Sequence, residues 1–202
     1  MHIEFLVEEP SAEAALQAIV PKILGESAEF KIHPHQGKSD LLGKLPDRLK
    51  GYKAWLPEGW RIVVLVDLDR EDCRRLKNRL EHEARKAGLV TKSAAATGSF
   101  QVLNRLAIEE LEAWFFGDIP AIVAAYPRVS PNLGQKAVYR IPDAIAGGTA
   151  EALQRVLQNA GYFKGGLAKI EAARAISMNM DPQRNRSRSF RAFRGGLVEM
   201  SA

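Results

Sequence analysis

A single cysteine, Cys73, stands among the 202 residues. It has no partner for an internal disulfide, so a reducing, cytoplasmic setting is expected. Four scattered histidines (His2, His33, His35, His82) and one cysteine make no zinc pattern. His33 and His35 read as an exposed pair at a strand end. No apolar run approaches the roughly 20 residues needed to span a bilayer, and no cationic or apolar leader precedes the first strand-like segment, so neither membrane insertion nor secretion is expected. Internal repeats and low-complexity tracts are absent. The net charge is only +5, which leaves the distribution of charge more informative than its total.

The first half of the chain alternates apolar-strand and helical patterns, the signature of βαβ units. His2 to Val7 reads as a strand that stops at Glu8, and Ser11 is the expected N-cap of a helix running to Leu24. Glu29 to His35 reads as a second strand, followed by a helix through Leu41, Leu42 and Leu45 disturbed at Pro46. Arg61 to Val66 is a third strand, stopping at Asp67-Leu68-Asp69. Glu71 to Ala87 is a charged helix, and a fourth strand is expected within Phe100 to Ala107. Ile108 to Phe116 reads as a helix. From Pro120 prolines and glycines mark a long irregular connection, before helical segments near 149–160, 167–177 and 189–200. The expected architecture is an α/β sheet domain (1–118) followed by a helical carboxyl-terminal region (119–202) packed on it.

Fully apolar strands belong at the centre of a parallel sheet, and such sheets present functional side chains at the carboxyl ends of their strands. Glu8, Asp67 and Asp69 are therefore expected on one edge. Clustered carboxylates repel unless protonated or neutralised, and the usual neutraliser is a hard cation such as Mg²⁺. Asp67 and Asp69, two apart, point the same way if the strand runs through both; the bland alternative is that they cap the next helix. Glu13 is either a first-turn acid favoured by the helix dipole or an additional ligand. Glu109 and Glu112 share a face if 108–116 is one helix. Gly37-Lys38-Ser39 resembles the tail of a phosphate-binding loop, but the upstream glycine is replaced by Ile32. That excludes a P-loop and leaves Lys38 as a charge beside the carboxylates. Near the end, Arg184, Arg186, Arg188, Arg191 and Arg194 are interleaved with Phe190 and Phe193. Arginines with aromatics suit a phosphate backbone and unstacked bases; alternatively the phenylalanines dock a basic helix on the core.

The order of these motifs resembles the Toprim domain of topoisomerases, primases and the overcoming-lysogenisation-defect nucleases. More specifically, it is similar to a Toprim-like bacterial family labelled a domain of unknown function. The segments that carry the resemblance are Leu6-Val7-Glu8-Glu9-Pro10-Ser11, Gln36-Gly37-Lys38-Ser39-Asp40, Val66-Asp67-Leu68-Asp69, Glu109-Glu110-Leu111-Glu112-Ala113-Trp114 and Asn185-Arg186-Ser187-Arg188-Ser189-Phe190. The resemblance implies a Toprim-like sheet and a nuclease using Mg²⁺ or Mn²⁺, with Glu8 as the characteristic glutamate and Asp67 and Asp69 as its acidic pair. It places Glu112 in a Glu-Ala-Trp motif, and it implies a genomic neighbour encoding an AAA-type ATPase, in some cases in phage defence. Two positions depart from the Toprim pattern. Glu9 replaces the usual glycine, and Ala12 stands where related nucleases carry an acid, with Glu13 beside it. The expected activity is metal-dependent phosphodiester hydrolysis on DNA or RNA, as a monomer or oligomer. The competing expectation is a non-catalytic module that docks on the ATPase.

Overall fold

The computed structural model describes residues 1–95 and 99–201. Four strands, β1 (His2–Val7), β2 (Glu29–Pro34), β3 (Trp60–Asp67) and β4 (Val102–Ala107), pair in parallel in the order β2-β1-β3-β4. The α/β class and the parallel sheet expected from the strand patterns are both present. Their alternation divides the core in two. Ile3, Phe5, Val7, Val63 and Leu65 face one side; Leu6, Ile62, Val64 and Val66 face the other.

Helix α1 (Pro10–Leu24) follows β1 and covers the first face through Ala15, Leu16 and Ile19. Helices α2 (Lys38–Trp55) and α3 (Cys73–Lys86) cover the second through Leu41, Leu45, Leu49, Leu76 and Leu80. Right-handed crossovers require this split, because the chain leaves β1 in one direction and returns past it to β3 in the other. The connections therefore diverge between β1 and β3, and the carboxyl ends of those strands flank the crevice where open α/β sheets bind ligands.

Several boundaries differ from the sequence reading. Glu9, not Ser11, is the N-cap of α1; Pro10 opens the helix, as its fixed φ favours, and Ser11 is buried inside it. Helix α2 runs unbroken through Pro46. The expected 108–116 helix is only α4 (Glu112–Phe116), and Glu109 stands outside it in a left-handed conformation, φ 61°. The irregular connection contains a short α5 (Ile119–Ala125) and three single 3₁₀ turns.

Helices α6 (Thr149–Asn159), α7 (Lys169–Asn179) and α8 (Arg188–Ser201) complete the α1 face. The cluster there draws side chains from both sides of residue 118, from Phe5 and Trp114 to Ile176 and Phe193. Phe190 and Phe193 are fully buried, with centroids 5.2 and 4.9 Å from Trp114. They dock α8 on the core and are closed to stacking with bases. No helix among the described residues is long and apolar enough to cross a membrane.

Candidate functional site

Glu8 is the first residue beyond β1, and Asp67 is the last residue of the adjacent β3. Their register brings them together: Glu8 Oε2 accepts a hydrogen bond from the Asp67 amide at 3.2 Å. Beyond β4 the chain stays zipped to the end of β3, with the Leu68 amide donating to the Ala107 carbonyl at 2.8 Å and the Asp69 amide to Glu109 at 2.7 Å. The left-handed turn at Glu109 then delivers Glu112 to Asp67. Asp67 is 8% exposed and Glu112 2%.

Burial raises the pKa of all three acids, because a desolvated carboxylate loses the hydration of its charge. Asp67 is pushed well above the ordinary range by burial, then by the charges of Glu112, Glu8 and Glu9, with the Leu111 amide opposing. Burial lifts Glu112 to about 7, with Lys169 opposing and Glu110 and Glu9 adding repulsion. Glu8 is raised by burial, while the Asp67 amide and Lys38 pull the other way.

Two lysines flank these acids. Lys38 opens α2 behind Gly37, whose φ of 92° favours glycine. Its Nζ lies 2.5 Å from Asp69 Oδ2 and 3.1 Å from Glu71 Oε1, and it donates to the Leu68 carbonyl at 3.2 Å. Burial opposes the Lys38 charge, but hydrogen bonds to Asp69 and Glu71 outweigh it and raise its pKa. On the other flank Lys169 opens α7 and sits 3.4 Å from Glu9 Oε1; burial again opposes its charge, and Glu112, Glu9 and Glu110 outweigh it.

The sequence-predicted residues thus divide. Glu8, Asp67 and Glu112 converge at the carboxyl edge, with Lys38 beside them. Asp69 does not point with Asp67: the strand ends between them, Asp69 turns through φ 52°, and its carboxylate is exposed and engaged by Lys38. Glu13 lines a cleft of about 680 Å³ between α1 and α7 with Gln17, Arg174 and Met178. Glu109 does not share a helical face with Glu112, and the neighbouring Glu110 instead caps α6, accepting from Thr149 Oγ1 at 3.1 Å and the Ala150 amide at 2.8 Å.

An all-carboxylate oxygen donor set suits a hard divalent cation, and the mutual repulsion of the acids is what such a cation would relieve. The side chains do not form a ready cage. Among the described residues no group of three or more His, Cys, Asp or Glu is arranged to hold a metal ion.

The arginine segment is built on alternation. Asn185, Ser187 and Ser189 point inward: Asn185 Nδ2 donates to the Trp114 carbonyl at 2.8 Å, Trp114 Nε1 donates to Ser189 Oγ at 3.0 Å, and both serines donate to Asp143. A Cβ on Gly117 would collide with Asn185 Oδ1, so the approach of this segment requires glycine there. Arg184 makes a two-pronged bond to the fully buried Asp118, at 2.7 and 3.0 Å, and acts as a strut. Arg186, Arg188 and Arg191 are exposed.

Sequence reading missed Glu9, Lys169 and Asp118. Glu9 had a usable signal, an acid before a proline at a helix start. Lys169 had none, since it reaches Glu9 from 160 residues away. His35, expected to be exposed, is buried and donates through Nδ1 to the Val7 carbonyl at 2.9 Å.

Comparison with known proteins identifies one family model, Domain of unknown function (DUF4276), matching residues 7–198. No curated protein and no solved structure matches the chain.

Proposed function

We propose that this chain, which belongs to the DUF4276 family, is a phosphodiester hydrolase of Toprim type that works with Mg²⁺ or Mn²⁺ at the carboxyl edge of its sheet. The observation that carries the reading is the convergence of buried Asp67 and Glu112 with half-buried Glu8 at the divergence point of the connections, all three raised in pKa by burial and Asp67 also by the charges of Glu112 and Glu8. A protein that needed these acids only for its fold would pair them, as it pairs Asp118 with Arg184.

A bound divalent cation supplies Lewis acidity and a water of lowered pKa. Glu8 and Asp67 would hold it, and Glu112 would complete its shell or orient the attacking water. Asp69, kept at the rim by Lys38, stands ready as a further oxygen donor. Lys38 and Lys169 offset charge on an incoming phosphate from two sides. Arg186, Arg188 and Arg191 supply exposed positive charge for a nucleic-acid backbone, DNA or RNA.

The rival reading, a module that docks on an AAA-type ATPase in phage defence, draws on one observation: Ile170 and Met178 of α7 are 45% and 65% exposed beside the α1 cleft. Incubation of the purified chain with single-stranded DNA, duplex DNA and transfer RNA, each with Mg²⁺ or Mn²⁺, separates the two. Metal-dependent cleavage abolished by Glu8→Gln is expected. Absence of cleavage on every substrate, or cleavage that survives Glu8→Gln, would reject the catalytic edge and leave the docking role.

A further inference from the structure

The amino edge of the same sheet carries a second cavity of about 470 Å³. Its floor is Glu4, 4% exposed in the middle of β1. Glu4 Oε1 accepts from His2 Nε2 at 2.7 Å, and Oε2 accepts from His33 Nε2 at 2.5 Å and from the Tyr52 hydroxyl at 3.0 Å. Its wall is aromatic. His2 stacks on Trp60 at 3.9 Å, Trp55 meets Trp60 edge-on at 5.8 Å, and Tyr52 lies 5.4 Å from Trp55. Trp55, at the end of α2, is 55% exposed. A buried polar cluster and an exposed large apolar side chain are the two informative departures from ordinary burial, and here they share one cavity.

We propose that this cavity binds a nucleotide, its base stacked against Trp55 and Trp60 and its phosphate held by Lys31 and Arg48. Both cations are exposed on the cavity's rim. The nearby Asp47 is engaged by Lys50 at 3.4 Å, which leaves the rim net positive. Both oxygens of Glu4 are already occupied, so the carboxylate positions the two imidazoles and does not itself face the ligand. With Nε2 directed at Glu4, each ring keeps Nδ1 for the edge of a base, and no protein group among the described residues bonds it. A volume in the few-hundred-Å³ range suits a small ligand, and aromatic stacking accepts any base. The same chemistry fits a free mononucleotide or one nucleotide of a single strand.

The inference does not rest on the metal-site reading, and its test is run in EDTA so that the two fail separately. The intact chain is titrated with AMP, GMP, CMP and UMP, with the matching nucleosides, and with a short single-stranded oligonucleotide. Tryptophan fluorescence is followed, and calorimetry serves the Trp55 variant. Trp114 is fully buried, so changes report Trp55 and Trp60. Saturable quenching by at least one mononucleotide is expected, weaker with its nucleoside. Trp55→Ala should weaken binding about tenfold, and Arg48→Ala should remove the preference for the phosphate. Tighter binding of the oligonucleotide that is weakened by Trp55→Ala assigns the cavity to a strand, and tighter binding of the mononucleotide assigns it to a free ligand. Absence of saturable binding by any of these, or unchanged affinity in Trp55→Ala, overturns the proposal.

Discussion

Glu4 and Asp67 are buried carboxylates on adjacent strands of one sheet, and their environments move them in opposite directions. Burial works against the charge of both. At the amino edge His33, His2 and Tyr52 outweigh it and lower the Glu4 pKa. At the carboxyl edge the next neighbours are Glu112 and Glu8, and Asp67 rises. Both are almost closed to solvent, but Asp67 lies deeper, and depth together with opposite partners separates a carboxylate whose hydrogen bonds are complete from one that lacks a counter-charge. A strongly perturbed acid in a crevice is a candidate functional residue.

The sharpest way to break this comparison is to remove each acid in turn and measure unfolding in denaturant. Glu4→Ala strands two imidazoles and a phenol and is expected to destabilise the fold by about 3–4 kcal/mol. Glu112→Gln should do the reverse, with a defined pH dependence. The folded pKa of about 7 lies above the ordinary 4.5. Below pH 4.5 the group is protonated in both folded and unfolded chains and has no effect. Between about pH 4.5 and 7 the unfolded chain releases a proton the folded chain keeps, so stability falls as pH rises. The variant should therefore match the parent at pH 4 and exceed it by about 2–3 kcal/mol at pH 8. A Glu112→Gln chain that is less stable at pH 8 would mean the acid is structurally paired.

Much of this site was legible from strand ends alone. An apolar run stopping at Glu8 and another stopping at Asp67 needed only the rule for parallel sheets to be placed together. The Asp69 turn was not legible, because an aspartate in a left-handed conformation carries no period. Nor was the break at Glu109: the acid-rich, aromatic-rich stretch reads equally well as a helix from 108, and its start is decided by the zipper between β3 and β4. Arginines at 184, 186, 188 and 191 look alike in sequence, and only the fold shows that Arg184 is bound to Asp118.

That distinction gives the smaller effects. Arg184→Ala leaves Asp118 buried with the Asp181 amide as a remaining partner, and about 2 kcal/mol of destabilisation is expected after allowance for the arginine's exposure. Arg186→Ala combined with Arg191→Ala should change stability by less than about 0.5 kcal/mol. If these arginines hold a phosphate backbone, each lost contact should lower the slope of log affinity against log salt by about 0.7–0.9. Normal nucleic-acid binding by this double variant would remove the tail from the interface.

Cation binding at the carboxyl edge is tested most directly by titration calorimetry with Mn²⁺ at pH 8 on the parent chain, Asp67→Asn and the double arginine variant. The parent and the arginine variant are expected to bind with the same affinity, and Asp67→Asn to lose binding while remaining folded. Absence of Mn²⁺ binding by the parent, or equal binding by Asp67→Asn, would contradict the assignment of the carboxyl edge as a metal site.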